Sequence, residues 1–131
     1  MPITCRFIPD HSLAVFTHVG DVSDEEFFTS YHQYLADPAF DKSGNLLIDL
    51  RTTTSTLRGT DALRKMADYM RGKLADVHTR PKVAVLAPND LSFGLARMYE
   101  VFSDSIEWEF TVFRALDAAL AWIGAPPDLF E

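Results

Sequence analysis

The sequence predicts an α/β protein with a five-stranded mixed, mostly parallel sheet and four helices, in the order ββαβαβαβα. Two short apolar runs without polar alternation, at residues 45–50 and 82–87, are typical of central parallel strands covered on both faces. Segments with apolar residues at helical spacing alternate with these strands. This alternation requires parallel pairing through crossover connections, so we expect only the first strand to run antiparallel, at one edge.

The first two strands form a predicted hairpin. Residues 3–8 alternate apolar and polar side chains, and a second strand pattern covers residues 13–19. The turn residues Pro9, Asp10 and His11 lie between them, and a connection this short joins antiparallel strands. We therefore expect residues 3–8 to form an edge strand with one side in water.

The first helix has clear start and stop signals. Ser23 and Glu26 have the spacing of a capping box, and the Asp37-Pro38 pair ends the helical pattern. Between them an aromatic-rich stripe recurs at helical spacing: Phe27, Phe28, Tyr31, Tyr34 and Leu35. Such a stripe is usually the core-facing side of a helix, although it can also line a ligand pocket.

The second and third helices also carry capping residues. Thr60 or Asp61 can cap the second helix, whose apolar stripe is Leu63, Met66, Ala67, Met70 and Leu74. Asn89 or Asp90 can cap the third helix, whose predicted inner face is Leu91, Leu95, Ala96, Tyr99 and Phe102. We expect Gly94, inside this helix, to permit close packing against a neighbouring element.

The C-terminal part of the chain predicts one more strand and one more helix. Residues 107–113 alternate cleanly, which indicates a second sheet edge, and residues 115–123 form a helix ended by Gly124. We expect residues 125–131 to form a mobile tail. Because no repeat or internal linker is present, residues 1–131 are predicted to form a single domain.

Composition and charge limit the classes of function. At 131 residues with 47% hydrophobic residues, the chain can bury a core without disulfides or metals, and Cys5 as the only cysteine excludes an internal disulfide. A formal net charge of −7 repels nucleic-acid phosphates, so nucleic acid is not an expected partner. Neither a signal peptide nor a membrane helix is evident in the sequence, so we expect a cytoplasmic protein without membrane insertion.

The carboxyl ends of the central strands are the predicted place for a site. Ligands of open parallel sheets bind beyond those ends, where Asp49, Arg51 and the hydroxyl-rich residues 52–56 follow one strand and Asn89 and Asp90 follow the next. Asp49 and Asp90 could hold a cation or act as an acid/base pair. Capping of the third helix is the commoner use of Asn89 and Asp90.

No catalytic or metal-binding set of residues is recognisable. The four histidines have no metal-ligand spacing, Cys5 has no identifiable activating base, and no glycine-rich phosphate loop is present. We therefore expect a protein without enzymatic activity, metal or cofactor.

Several motifs carry a family resemblance. They read NLLIDLR at residues 45–51, APNDLSFGLARMYE at 87–100 and VFRALDAALAW at 112–122, with LADPAFD at 35–41. Together they resemble the bacterial STAS-like proteins of SpoIIAA-like fold over nearly the whole chain. The resemblance implies helices gathered mainly on one side of the sheet and a non-enzymatic role. It also implies relatives that include anti-sigma-factor antagonists and proteins of the Sec14-type lipid-binding fold.

The start of the second helix differs from the phosphorylation motif of the resembled family. The antagonists carry a phosphorylated serine in an Asp-Ser-Ser-Gly type motif at the start of the helix after the Asp-ending strand. Residues 57–61 here read LRGTD and lack that motif, so Thr60 is the nearest hydroxyl at the helix start. Phosphorylation of Thr60 or of residues 52–56 is a hypothesis beside the simpler role of Thr60 as a cap.

The apolar central strands leave two functional hypotheses open. Both faces of these strands need a cover, and if the helices gather on one face, the other must meet a partner subunit or an apolar ligand. The first hypothesis is a regulatory module that acts through protein contacts, as a homodimer. The alternative is a small carrier or sensor that holds a lipid-like molecule against the sheet near Phe16 and Leu47.

Overall fold

The computed structural model describes residues 2–55 and 58–131. The strands in these residues are β1 (Ile3–Ile8), β2 (Leu13–Gly20), β3 (Asn45–Thr53), β4 (Lys82–Leu86) and β5 (Glu109–Phe113). The α-helices are α1 (Asp24–Leu35), α2 (Thr60–Lys73), α3 (Asp90–Phe102) and α4 (Leu116–Ile123). The strands form one sheet in the order β1-β2-β3-β4-β5, in which β1 is antiparallel to β2 and the other pairs are parallel. The predicted fold class and order of elements are confirmed.

The helices are divided unequally between the two faces of the sheet. Alternate side chains of the strands, such as Phe16 and Leu46, pack in one cluster with α1, α2 and α3, on what we call the three-helix face. The intervening side chains, such as Val15 and Leu47, pack with α4 on the α4 face. No helix in the described part of the chain is long and apolar enough to cross a membrane.

Phe16 and Leu47 do not lie on the same face of the sheet, contrary to the prediction. The parallel register of β2 and β3 pairs Phe16 with Ile48 and Val15 with Leu47. Phe16 therefore lies on the three-helix face, whereas Leu47 lies on the α4 face. The prediction was wrong because a sequence fixes the alternation within one strand but not its register against a neighbour.

The C-terminal residues contribute to the cover of the α4 face. Leu129 and Phe130 pack against the cluster formed with α4, and Arg6 Nη2 donates a hydrogen bond to the Leu129 carbonyl at 2.9 Å. The α4 face is thus covered by the chain itself. Mobility of residues 125–131 stays a prediction.

Two of the three predicted helix caps agree with the structure. Ser23 and Glu26 form the reciprocal capping box of α1, and Asn89 Oδ1 accepts the Leu91 amide at 2.8 Å at the start of α3. The cap predicted for α2 was wrong. Gly59 holds the extended backbone before that helix and Thr60 is already its exposed first residue, so no side chain caps α2.

The predicted inner face of α3 is confirmed except at its first residue, because Leu95, Ala96, Tyr99 and Phe102 pack in the cluster on the three-helix face and Leu91 does not. Leu91 is 53% exposed, while the neighbouring Ser92 is buried. Gly94 is exposed, and a Cβ atom added there would meet nothing within 4 Å, so the predicted close packing at Gly94 was wrong. The outer surface of α3 instead carries an apolar stripe of Leu91, Met98 and Val101.

A tight backbone approach at Gly44 gives a test of the β2–β3 register. The Asn45 amide donates to the Ser12 carbonyl at 2.7 Å, and a Cβ atom on Gly44 would lie 2.7 Å from the same oxygen. Gly44→Ala should lower the free energy of unfolding by about 1–3 kcal/mol, because backbone must move to relieve the contact. Gly72→Ala has no neighbour within 4 Å and lies in α2, so it should be neutral or stabilising by about 0.5–1 kcal/mol. Denaturant unfolding compares the two variants, and equal effects would contradict this description of Gly44.

Candidate functional site

A cavity of about 100 Å³ lies between the three-helix face of the sheet and helices α1, α2 and α3. We call it the helix-side cavity. The strands and the segment before β5 contribute mainly apolar side chains to its lining: Phe16, Leu46, Ile48, Leu50, Val83, Val85, Trp108 and Phe110. The helices contribute Phe27, Tyr31, Leu35, Leu63, Met66, Met70, Leu95, Ala96 and Tyr99. The predicted aromatic stripe of α1 therefore serves both as core and as cavity wall.

A second hollow, of about 140 Å³, lies beside the hairpin turn and is a weaker candidate. It is lined in part by Pro9, Asp41 and Asn45. Two of its polar side chains already have partners, since Asp41 Oδ1 accepts the Ser43 amide at 2.9 Å and Asn45 Oδ1 accepts the Lys82 amide at 2.8 Å. Burial of an apolar ligand is better supported at the helix-side cavity.

Five polar side chains that line the helix-side cavity come from one edge of the sheet. His18 and Thr53 lie near the carboxyl ends of β2 and β3, and Ser92 lies in the first turn of α3, directly after β4. Ser55 and Arg58 follow β3 along the chain. This is the edge where the sequence predicts a site, but most of the residues are different from those predicted.

His18 and Tyr31 form a buried neutral pair in the cavity wall. His18 Nε2 lies 2.8 Å from the Tyr31 hydroxyl, and the Tyr31 ring is stacked on Phe16 with centroids 4.6 Å apart. Burial, together with the positive charge of Arg58, lowers the pKa of His18 to about 4, against the opposing effect of Asp49. Burial raises the pKa of Tyr31 well above its ordinary value. Both groups are therefore uncharged at neutral pH.

Arg58 is a charged side chain held in the cavity wall. Its side chain is only 8% exposed, and its guanidinium carbon lies 4.7 Å from the centroid of the Phe27 ring. Nη1 donates to the Val22 carbonyl and to Asp24 Oδ1, each at 2.9 Å. The Asp24 side chain is 53% exposed, so water weakens its neutralising effect on the arginine.

Ser92 and Tyr99 add two hydroxyl groups to the lining. Both residues line the cavity, and neither side-chain oxygen forms a hydrogen bond with the described residues. Among the described residues, every side-chain nitrogen or oxygen that is sealed from open space has a hydrogen-bond partner. The two hydroxyl groups are therefore in contact with open space and available to a bound molecule.

Asp49 and Arg51 form a structural ion pair away from the helix-side cavity. Buried Asp49 accepts from the Arg51 backbone amide, from Nε at 3.0 Å and from Nη2 at 2.9 Å. These hydrogen bonds raise the pKa of Arg51, whose guanidinium carbon lies 4.6 Å from the Phe130 ring centroid. Asp49 and Arg51 share the strand parity of Leu47, so they lie on the α4 side of β3.

The remaining predicted residues are exposed at helix starts. Asp90 Oδ1 accepts from Arg114 Nη1 at 2.7 Å, Asn89 caps α3, and Thr60 is the first residue of α2. Asp49 and Asp90 are thus each bound by a different arginine. Within residues 2–55 and 58–131, no group of three or more His, Cys, Asp or Glu side chains is placed to hold a metal ion. Thr56, part of the predicted hydroxyl-rich loop, lies outside the described residues, whereas Thr53 and Ser55 line the cavity.

His18, Arg58 and Ser92 are site residues that the sequence did not single out. A signal for His18 was available, because it shares the strand parity of Ala14 and Phe16 and so occupies an inward-facing position. Ser92 was missed because the predicted inner face of α3 began with Leu91. The position of Arg58 depends on contacts with α1 that are distant in sequence.

The fold agrees with that of a solved structure. No protein-family model matches the sequence, and neither does any curated protein. The chain is similar to the crystal structure of an uncharacterized DUF3478-family protein with a SpoIIAA-like fold from Shewanella loihica PV-4, with a TM-score of 0.56. The two are 20% identical, and the match covers 92% of this chain and 91% of that one. At this identity the likeness shows the fold alone, so the protein has the SpoIIAA-like fold that the sequence motifs predicted.

Because His18 is buried, we expect the free energy of unfolding to depend on pH. Below its ordinary pKa of 6.5, His18 takes up a proton in the unfolded chain, whereas in the folded protein it stays neutral until the pH approaches 4. This group should therefore remove about 2 kcal/mol from the free energy of unfolding between pH 7 and pH 5. His18→Gln should lose less stability over this interval than the wild type. His11→Gln, at an exposed position, is the control, and denaturant unfolding at both pH values is the measurement. An unchanged pH dependence in His18→Gln would show that His18 is not held neutral.

Proposed function

We propose that the protein is a non-enzymatic cytoplasmic binding module that takes up a small, largely apolar molecule in the helix-side cavity, as a carrier or sensor. The observation that carries this proposal is the cavity itself. It lies between the sheet and three helices, and most of the side chains around it are apolar. Concave, mainly apolar cavities with a few polar groups are typical of small-molecule sites.

The energetic cost of the cavity supports a ligand. Protein interiors are close-packed, so the side chains around an unfilled space of about 100 Å³ lose packing contacts on that side. A ligand that fills the space offsets this cost. An apolar cavity of about 150 Å³ in another protein admits benzene. The helix-side cavity is smaller, so it suits a group of about the size of a benzene ring or slightly smaller.

The contacts of the polar residues favour binding over catalysis. Nucleophilic catalysis by a serine requires a base hydrogen-bonded to the hydroxyl. In the described residues, His18 is hydrogen-bonded to Tyr31 rather than to Ser92, so that base does not activate the serine. This arrangement supports a non-enzymatic role.

Filling the cavity tests the proposal. Ala96 is buried in α3 and lines the cavity, so Ala96→Leu should occupy the space with its larger side chain. Toluene should raise the melting temperature of the wild type, because a ligand that binds only the folded state stabilises it. Ala96→Leu should lose this shift and keep its fold, whereas Leu91→Ala, on the exposed side of the same helix, should keep the shift. A full toluene response in Ala96→Leu would refute binding in this cavity.

A second candidate function is regulation through protein contacts, beginning with a second copy of the chain. The observation that favours it is the exposed stripe on α3. Leu91, Gly94, Met98 and Val101 are spaced by three, four and three residues, as in the seam of a two-helix coiled coil. Two α3 helices related by an antiparallel twofold axis near residue 96 would place Met98 opposite Gly94 and Leu91 opposite Val101. The bulky side chain of Met98 would then face Gly94, which has no side chain.

Oligomeric state tests this second candidate. The wild type should have the mass of two chains in size-exclusion chromatography with light scattering. Val101→Glu should shift it to one chain, because a charge would be buried in the apolar seam. Val19→Glu, at another exposed apolar position on β2, should remain a dimer. A monomeric wild type, or a dimer unaffected by Val101→Glu, would exclude pairing through α3.

A further inference from the structure

The polar groups of the helix-side cavity are all able to donate hydrogen bonds. Arg58, Ser92 and Tyr99 each have donors, and neutral His18 carries one N–H. No aspartate or glutamate is among the residues that line the cavity in the described part of the chain. Such a lining favours a ligand whose polar end accepts hydrogen bonds.

Arg58 has hydrogen-bond donors that the described residues leave unused. Its hydrogen bonds to Val22 and Asp24 both use Nη1. Within the described residues, Nε and Nη2 have no partner, although more than nine-tenths of the side chain is buried. A carboxylate accepts two parallel hydrogen bonds from two neighbouring guanidinium nitrogens.

The charge around the cavity favours a monoanion. Arg58 is the charged residue among the described side chains that line it, and His18 is neutral and adds no second positive charge. Asp24 neutralises Arg58 only in part, because its side chain is exposed to water and does not line the cavity. One incompletely neutralised cation matches a single negative charge and repels an ammonium group.

We propose that the ligand is a small monoanionic amphiphile, namely a carboxylate attached to an aromatic ring or a short branched aliphatic group. The apolar body fills the cavity, and the carboxylate is held by Arg58 at the edge of the sheet where His18 and Ser92 lie. This inference rests on the proposed function and adds to it the chemical class of the ligand. The cavity volume limits the buried body to about one ring.

Three probes that share a phenyl ring with one attached carbon test the inference by isothermal titration calorimetry at pH 7. Phenylacetate carries the anion, toluene carries no polar group, and benzylamine carries a cation. The wild type should bind phenylacetate about tenfold or more tightly than either of the others, because a bidentate arginine–carboxylate pair is charge-assisted. Arg58→Met should abolish this preference and still bind toluene as the wild type does.

Two further variants separate recognition from a structural role of Arg58. Arg58→Lys keeps the charge but not the paired donors, so it should bind phenylacetate with intermediate affinity and remain useful if Arg58→Met does not fold. Asp24→Asn removes the partial neutralisation, so it should bind phenylacetate about two- to fivefold more tightly than the wild type. A merely structural role of Arg58 predicts no gain in Asp24→Asn.

The outcomes distinguish the inference from the proposed function. If toluene binds and phenylacetate binds no better, the carboxylate class is wrong and the apolar binding module stands. If Arg58→Met keeps the preference for phenylacetate, or if Asp24→Asn gives no gain, recognition of the carboxylate by Arg58 is wrong. If neither toluene nor phenylacetate binds the wild type, the proposed function fails together with the inference. Tighter binding of benzylamine than of phenylacetate would overturn the assignment of charge.

Discussion

The need to cover two apolar faces of one parallel sheet determines most of this structure. The central strands β3 and β4 present apolar side chains in both directions, so each face must be removed from water. Helices α1, α2 and α3 cover one face, and α4 covers the other together with Leu129 and Phe130. Because the chain covers both faces itself, the sheet does not require a second subunit or a ligand on its α4 face. The helix-side cavity lies instead under the three helices.

The two faces use the carboxyl edge of the sheet in different ways. On the α4 side, Asp49 and Arg51 satisfy each other, and Phe130 packs over the guanidinium group. On the three-helix side, Arg58 keeps donors that the described residues do not use, next to a cavity that they do not fill. Polar groups that are buried and fully paired stabilise a fold, whereas buried donors beside open space are suited to a ligand. The distinction places the candidate site on the three-helix side.

Much of the fold is readable from the sequence because it depends on local patterns. The capping box of α1, the cap of α3 by Asn89 and the alternation within each strand involve residues that are close in sequence. The errors concern details that a neighbouring element decides. The Gly59 backbone occupies the cap position before Thr60. In the first turn of α3, packing against the sheet buries Ser92 and leaves Leu91 exposed.

The sequence by itself determined the fold class, the order of strands and helices, and the edge of the sheet where polar groups collect. It did so because hydrophobic periodicity and the direction of parallel strands are properties of the chain. Only the tertiary structure decided that Phe16 and Leu47 face opposite sides, since that depends on the register between β2 and β3. Only the tertiary structure brought His18, Arg58 and Ser92 to one cavity, because a cavity is the space that side chains from distant segments leave unfilled.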